Sequence, residues 1–313
     1  MTPLHEPVTP LHEPVTPLRV GLIGTSPWAE RTHAAALMAA DGVDFAGVWG
    51  RDPAKAGALA AATGVTAYTD VDALLADCEA VVLSVPPDVQ ASLATRAARA
   101  GKHLLLEKPL ALSVEAAEAL VDAVREAGIS SRVFFTWRYT PEGRTWLADV
   151  AGGGWEGGSA QWLGGVAGGP HDTAWRRERG ALWDLGPHVL SMLSAALGPV
   201  EHVTAVAGAR DLVHLTLRHD SGVTSTATLT ITAPAAAHRV ALELWGPTGW
   251  TAFDRSTAPA ALAARTAVEE LAVAARSQPG APDPCDVEHG AYVVGLIAAA
   301  QAQLSARAAN RIR

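Results

Sequence analysis

From Leu18 onward, short apolar runs alternate with alanine-rich stretches of helical period. Segments 19–23, 43–49, 80–85, 103–106 and 132–136 read as strands, and 28–40, 53–62, 89–100 and 114–127 as the helices between them. Strands that alternate with helices imply crossover connections, and therefore a parallel sheet with helices on both faces. The rhythm changes after about residue 137. Glycine-rich turns at 152–154, 157–158 and 168–169 lead to a short helix at about 187–197. Long runs with a period of two follow at 200–207, 212–218, 223–232, 239–245 and 250–253. Such consecutive alternating strands predict a large open, mostly antiparallel sheet. Two helices, 260–276 and about 287–307, close the chain.

The expected organisation is an α/β domain of the dinucleotide-binding type over 18–137, then an α+β domain over 138–313. Residues 1–17 hold TPLHEPV twice in tandem; their prolines forbid a continuous helix, so a disordered tail is expected. The 313 residues suit two domains. A formal net charge of −8 speaks against nucleic-acid binding, which needs a basic face. No apolar run approaches the roughly 20 residues of a membrane span, and the N-terminus lacks the pattern of a signal peptide. With only two cysteines, Cys78 and Cys285, a reducing cytoplasm is the expected setting.

The first strand runs into Gly24-Thr25-Ser26-Pro27-Trp28-Ala29, a G-x-G-x-x-A pattern with Ser26 at the second glycine. Between a strand and a helix, this is the context of a dinucleotide fingerprint, though an ordinary strand–helix turn has the same look. Gly24 suits the tight turn, Ser26 a helix cap, and the amides of the helix start a pyrophosphate. NAD sites place an acid at the end of the second strand; here Gly50-Arg51 stands there. A missing carboxylate and a nearby guanidinium favour the 2′-phosphate of NADP, with NAD as the alternative should Asp52 take the acid's part.

Three further segments carry a resemblance: Ser84-Val85-Pro86-Pro87, the run from Ala100-Gly101-Lys102-His103 to Glu107-Lys108-Pro109, and Asp184-Leu185-Gly186-Pro187-His188. With Arg138-Tyr139-Thr140-Pro141 and Trp175-Arg176, in this order and spacing, the chain resembles the Gfo/Idh/MocA family from about Leu18 to its end. The resemblance implies an NAD(P)-dependent oxidoreductase acting on a sugar, polyol or related cyclic compound. It also implies a homo-oligomer formed through the antiparallel sheet. Lys108, Asp184 and His188 would line the catalytic site, with Ser84, Pro86, Glu107 and Lys108 near the cofactor and Arg138, Trp175 and Arg176 near the substrate.

The chemistry asks for these types. A secondary alcohol must lose a proton as its hydride leaves, and His188 is a natural acid/base near neutral pH. Asp184 can orient the imidazole or bind a neighbouring hydroxyl, and Lys108 can stabilise a developing alkoxide. Lys108 is one of only three lysines among 24 basic residues, which fits a chemical role. The plainer readings are that Asp184 caps the following helix and that His188 lies on its surface. Gln90 and Ser191 stand where the family often has His and Asp. Six of the ten tryptophans fall between 137 and 183, and of these Trp175 is expected to line the pocket. A non-catalytic dinucleotide sensor on the same fold is the alternative function, and the intact triad speaks against it.

Overall fold

A computed structural model describes residues 16–166, 169, 172–254 and 256–311. Six parallel strands form the first sheet: β1 (Leu18–Ile23), β2 (Val43–Trp49), β3 (Thr66–Tyr68), β4 (Ala80–Leu83), β5 (His103–Glu107) and β6 (Ser131–Phe134). Their spatial order is β3-β2-β1-β4-β5-β6, so the direction of strand succession reverses between β1 and β4. In sheets of this kind the crevice at that reversal, beyond the carboxyl ends of the strands, takes the ligand. β4 is buried at all four positions, as its unbroken apolar run requires.

The second sheet comprises β7 (Gly157–Leu163), β8 (Val200–Ala207), β9 (Val213–His219), β10 (Thr224–Thr230), β11 (Arg239–Gly246) and β12 (Gly249–Asp254), ordered β12-β11-β7-β10-β9-β8. All pairings are antiparallel except β7 with β10. Strict alternation along β9 buries Val213, Leu215 and Leu217 and exposes the residues between them.

Several elements depart from the sequence reading. β7 replaces the expected turn at 157–158: a Cβ on Gly157 would lie 2.4 Å from the Trp245 ring, so the glycines admit side chains from β11 rather than bend the chain. β3, the helix Val71–Ala76 and the helix Pro141–Val150 were not anticipated, nor was the helix Ala174–Asp184, which breaks at Gly180 (φ 67°). The helix after β1 opens with π geometry over Ala29–Ala34 before the α segment Ala35–Ala39. The tandem repeat lies almost wholly outside the described residues.

The last two helices tie the halves together. Ala260–Ser277 packs on the first sheet, where Arg265 pairs with Asp41 at 2.8 Å and Arg276 with Glu79 at 2.7 Å. Val287–Arg311 touches both halves, lying against the helix Val114–Ala127 and against β8. No described helix is long and apolar enough to cross a membrane.

Candidate active site

The turn after β1 is built by close backbone approach. Gly24 has φ of +135°, and a Cβ there would come within 2.2 Å of the Ser84 carbonyl oxygen at the end of β4. Only glycine fits this crossing of β1 and β4. Gly24→Ala is accordingly expected to abolish dinucleotide binding and lower the unfolding midpoint, both read by titration and thermal melt; a variant that keeps both would show that the turn can relax. Ser26 Oγ accepts from the Ala29 amide at 3.1 Å, as a cap does. The amides of Thr25 and Ser26 donate to no described residue, which leaves them for an anion.

Gly50 has a local reason to be glycine: a Cβ there would lie 2.6 Å from Thr25 Cγ2, so the threonine of the turn fills the space where an acidic side chain would begin. Asp52 is engaged elsewhere, its Oδ1 accepting from the amides of Ala54 (3.0 Å) and Lys55 (3.3 Å) at the start of the helix Pro53–Thr63. Arg51 is exposed and pairs with no carboxylate among the described residues.

From the same turn, the Trp28 indole N–H donates to Glu107 Oε1 at 2.5 Å, and His33 Nε2 lies 2.7 Å from that oxygen. Burial works against ionising the Glu107 carboxyl, but His33, Trp28 and Lys108 together hold it below the usual carboxylate range. The turn is thereby tied to the residue just before Lys108. Gln90, fully buried, grips the segment that follows β5. Its Oε1 accepts from the Glu107 amide at 2.9 Å, and its Nε2 lies 2.6, 3.1 and 3.2 Å from the carbonyls of Glu107, Pro109 and Leu110. An amide offers two donors and an acceptor on one small group, which suits this clasp better than an imidazole with one of each. The Lys108–Pro109 peptide is cis.

Lys108 leaves the first sheet and meets the second half. Its Nζ donates to the Asp184 carbonyl and to Oδ1, both at 2.8 Å. Arg176 Nε approaches the same Oδ1 at 3.0 Å. Burial would raise the Asp184 carboxyl, but Lys108 and Arg176 outweigh it and bring it down to about 2. Asp184 is therefore a buried carboxylate with two cations on one oxygen. It does not cap the helix Gly186–Leu197, which has no side-chain cap.

His188 lies in the first turn of that helix, 6% exposed, and so is not a surface residue. No hydrogen bond joins it to Asp184, and its Nδ1 is sealed from solvent without a partner among the described residues. Burial first, then the charge of Lys108, holds the imidazole well below its usual pKa, against the opposing pull of Asp184. Its flat neighbours are indoles: Trp162 at 5.4 Å and Trp137 at 5.8 Å between ring centres.

Of the expected substrate residues, Arg176 is at Asp184, while Trp175 is half-buried and carries the Arg176 guanidinium 4.7 Å above its ring. Arg138 turns elsewhere: its Nη1 donates to the Ser191 carbonyl (3.2 Å) and hydroxyl (3.3 Å), where His289 Nε2 also meets Ser191 Oγ at 3.0 Å. Sequence reasoning missed Trp162 and Trp137 as neighbours of His188. It also missed the clasp made by Gln90. For Trp162, a signal was available in the alternation Gly158, Ala160, Trp162 along one strand face.

Two family models match the chain: an oxidoreductase family with NAD-binding Rossmann fold over residues 18–135, and the GFO/IDH/MocA C-terminal domain over residues 157–252. The chain belongs to the Gfo/Idh/MocA family. Among its curated relatives, an uncharacterized oxidoreductase of Synechocystis sp. (strain ATCC 27184 / PCC 6803 / Kazusa) is 31% identical over 59% of this chain and 53% of its own. An uncharacterized oxidoreductase of Rhizobium meliloti is 38% identical over 35% of this chain and 34% of its own. The D-xylose 1-dehydrogenase (NADP(+)) 2 of Haloferax volcanii is 34% identical over 39% and 38%. The chain thus spans between about a third and about half of the length of these Gfo/Idh/MocA relatives. Among solved structures, GenD2 from gentamicin A biosynthesis in complex with NAD superposes with a TM-score of 0.79 at 22% identity, covering 97% of each chain. A myo-inositol dehydrogenase from Corynebacterium glutamicum gives 0.78 at 21% identity, covering 93% of this chain and 97% of its own. At such identities the likeness is one of fold.

Proposed function

We propose that the protein is an NAD(P)-dependent oxidoreductase, NADP-preferring, that interconverts a secondary alcohol and a ketone on a sugar, polyol or related cyclic substrate. The contact of Lys108 with Asp184 carries this reading. It joins the end of β5, whose Glu107 holds the Trp28 indole of the nucleotide turn, to the residue that closes the helix Ala174–Asp184 four positions before His188, so that cofactor and acid/base would meet in one crevice. The turn fits a dinucleotide: its glycine crosses under Ser84, and two of its amides donate to no described residue. When bound, nicotinamide supplies the hydride acceptor. In the oxidation direction Lys108 Nζ donates a hydrogen bond to the reacting hydroxyl oxygen and stabilises the charge developing on it. With Nδ1 sealed, Nε2 is the ring nitrogen that takes the hydroxyl proton. Asp184, ionised, holds the ammonium of Lys108 in place.

Domain limits of 18–137 and 138–313, and self-association through the open face of the second sheet, belong to the same proposal. That face carries outward side chains such as His214, Thr216 and Arg218.

Titration of the protein with NADPH and with NADH, followed by quenching of tryptophan emission, tests the cofactor. NADPH is expected to bind more tightly, and Arg51→Ala to weaken it by about tenfold or more, the scale of a charge-assisted bond to phosphate, with little change for NADH. Tighter NADH binding would overturn the assignment of Arg51, and binding of neither would overturn the oxidoreductase itself.

A further inference from the structure

Resting on the reading above, we propose that Trp162 is the platform on which a ring-shaped substrate lies while one of its hydroxyls faces Lys108 and His188. Trp162 stands on the inward face of β7, where Gly158 and Ala160 before it are small, and the edge of its indole lies beside Gly164, where a Cβ would be 3.6 Å from Nε1. One face of it is backed: Trp137, buried, stacks on it with ring centres 4.3 Å apart and planes 19° from parallel. Trp137 is itself wedged by Phe253 at 5.6 Å. Trp162 is only half-buried, and its ring centre is 5.4 Å from that of His188. Its indole N–H makes no hydrogen bond to any described residue, so a polar edge is available beside an apolar face.

A rigid, supported indole next to the proton-accepting group presents a flat apolar surface to a ligand. Saturated rings with several equatorial hydroxyls present the complementary surface, a face of C–H bonds framed by polar edges. An acyclic polyol has no such face and must lose rotational freedom to make one. Trp175, the tryptophan favoured from sequence, is less suited because a guanidinium already covers its ring.

Saturation-transfer NMR on the full chain in the presence of NADPH tests this, with myo-inositol, methyl β-D-glucopyranoside and methyl α-D-galactopyranoside as ring probes and D-sorbitol as the acyclic one. At least one ring probe is expected to bind with saturation concentrated on the C–H protons of one ring face. Trp162→Ala should weaken that probe about tenfold or more, the scale of losing one large apolar contact, and Trp162→Phe should restore most of it. Trp162→Leu, which leaves less of a gap over Trp137, reads the same loss if the alanine variant unfolds. Binding of no ring probe, binding unchanged in Trp162→Ala and Trp162→Leu, or D-sorbitol binding as well as the rings overturns the proposal. NADPH quenching in the same samples keeps the two readings apart. Failure of wild type to bind NADPH counts against the oxidoreductase, whereas intact NADPH binding with no dependence on Trp162 counts against the platform alone.

Discussion

Lys108→Met and His188→Ala are each expected to lower turnover by about two to four orders of magnitude while leaving NADPH affinity within about twofold. The measurement is steady-state turnover of whichever alcohol an NADP-coupled screen identifies, beside the fluorescence titration. Survival of turnover in either variant would overturn the roles assigned here. The wild-type pH profile adds a separate check. Because burial and Lys108 hold His188 neutral well below its ordinary range, kcat/KM for oxidation should stay level as pH falls through about 6.5. It should decline only further into acid, as the imidazole gains its proton. Stability follows the same sign. Between the ordinary histidine value and the lowered one, the unfolded chain binds more protons than the folded, so stability falls as pH falls. His289, pushed by burial and Arg138 down to about 4, adds to that loss over the window from about 6.5 to 4.

Asp184→Leu is expected to be the most damaging single change to the fold. It leaves two buried or half-buried cations, Lys108 and Arg176, facing each other without the carboxylate that separates them. Removing one member of a buried ion pair costs about 3–5 kcal/mol. Lys108→Met should cost less, because Arg176 still lies against the same oxygen. Chemical denaturation of the three proteins compares them directly. An Asp184→Leu protein as stable as wild type would mean that Asp184 is not what balances these charges.

Much of this arrangement is legible in the sequence. Parallel strands and their crossovers announce themselves through apolar runs bounded by glycine and proline, and the Lys108, Asp184 and His188 motifs are short and local. What escaped has a common physical cause. Gly157 and Gly158 look like a turn unless it is known that Trp245 and Leu244 fill the space beside them, and with the strand lost, Trp162 had no face to occupy. The hold of Gln90 on the strand after it depends on the docking of a helix, which no local spacing reveals. Arg138 sits in a family motif, yet its guanidinium is claimed by Ser191 on a helix some fifty residues away. Gly50 read as an absent acid; its contact with Thr25 supplies a steric reason as well.

The chain passes from the first sheet to the second after Phe134 and returns after Asp254, so the halves are hung from each other at two points rather than one. A body suspended at two points has one easy motion, rotation about the line through them; twisting or sliding must break the packing of Ala260–Ser277 and Val287–Arg311. Lys108, just after β5, and Asp184, at the end of the helix Ala174–Asp184, bridge the two halves with their side chains. Any parting of the halves would have to break this contact, which makes the ion pair a latch on the door.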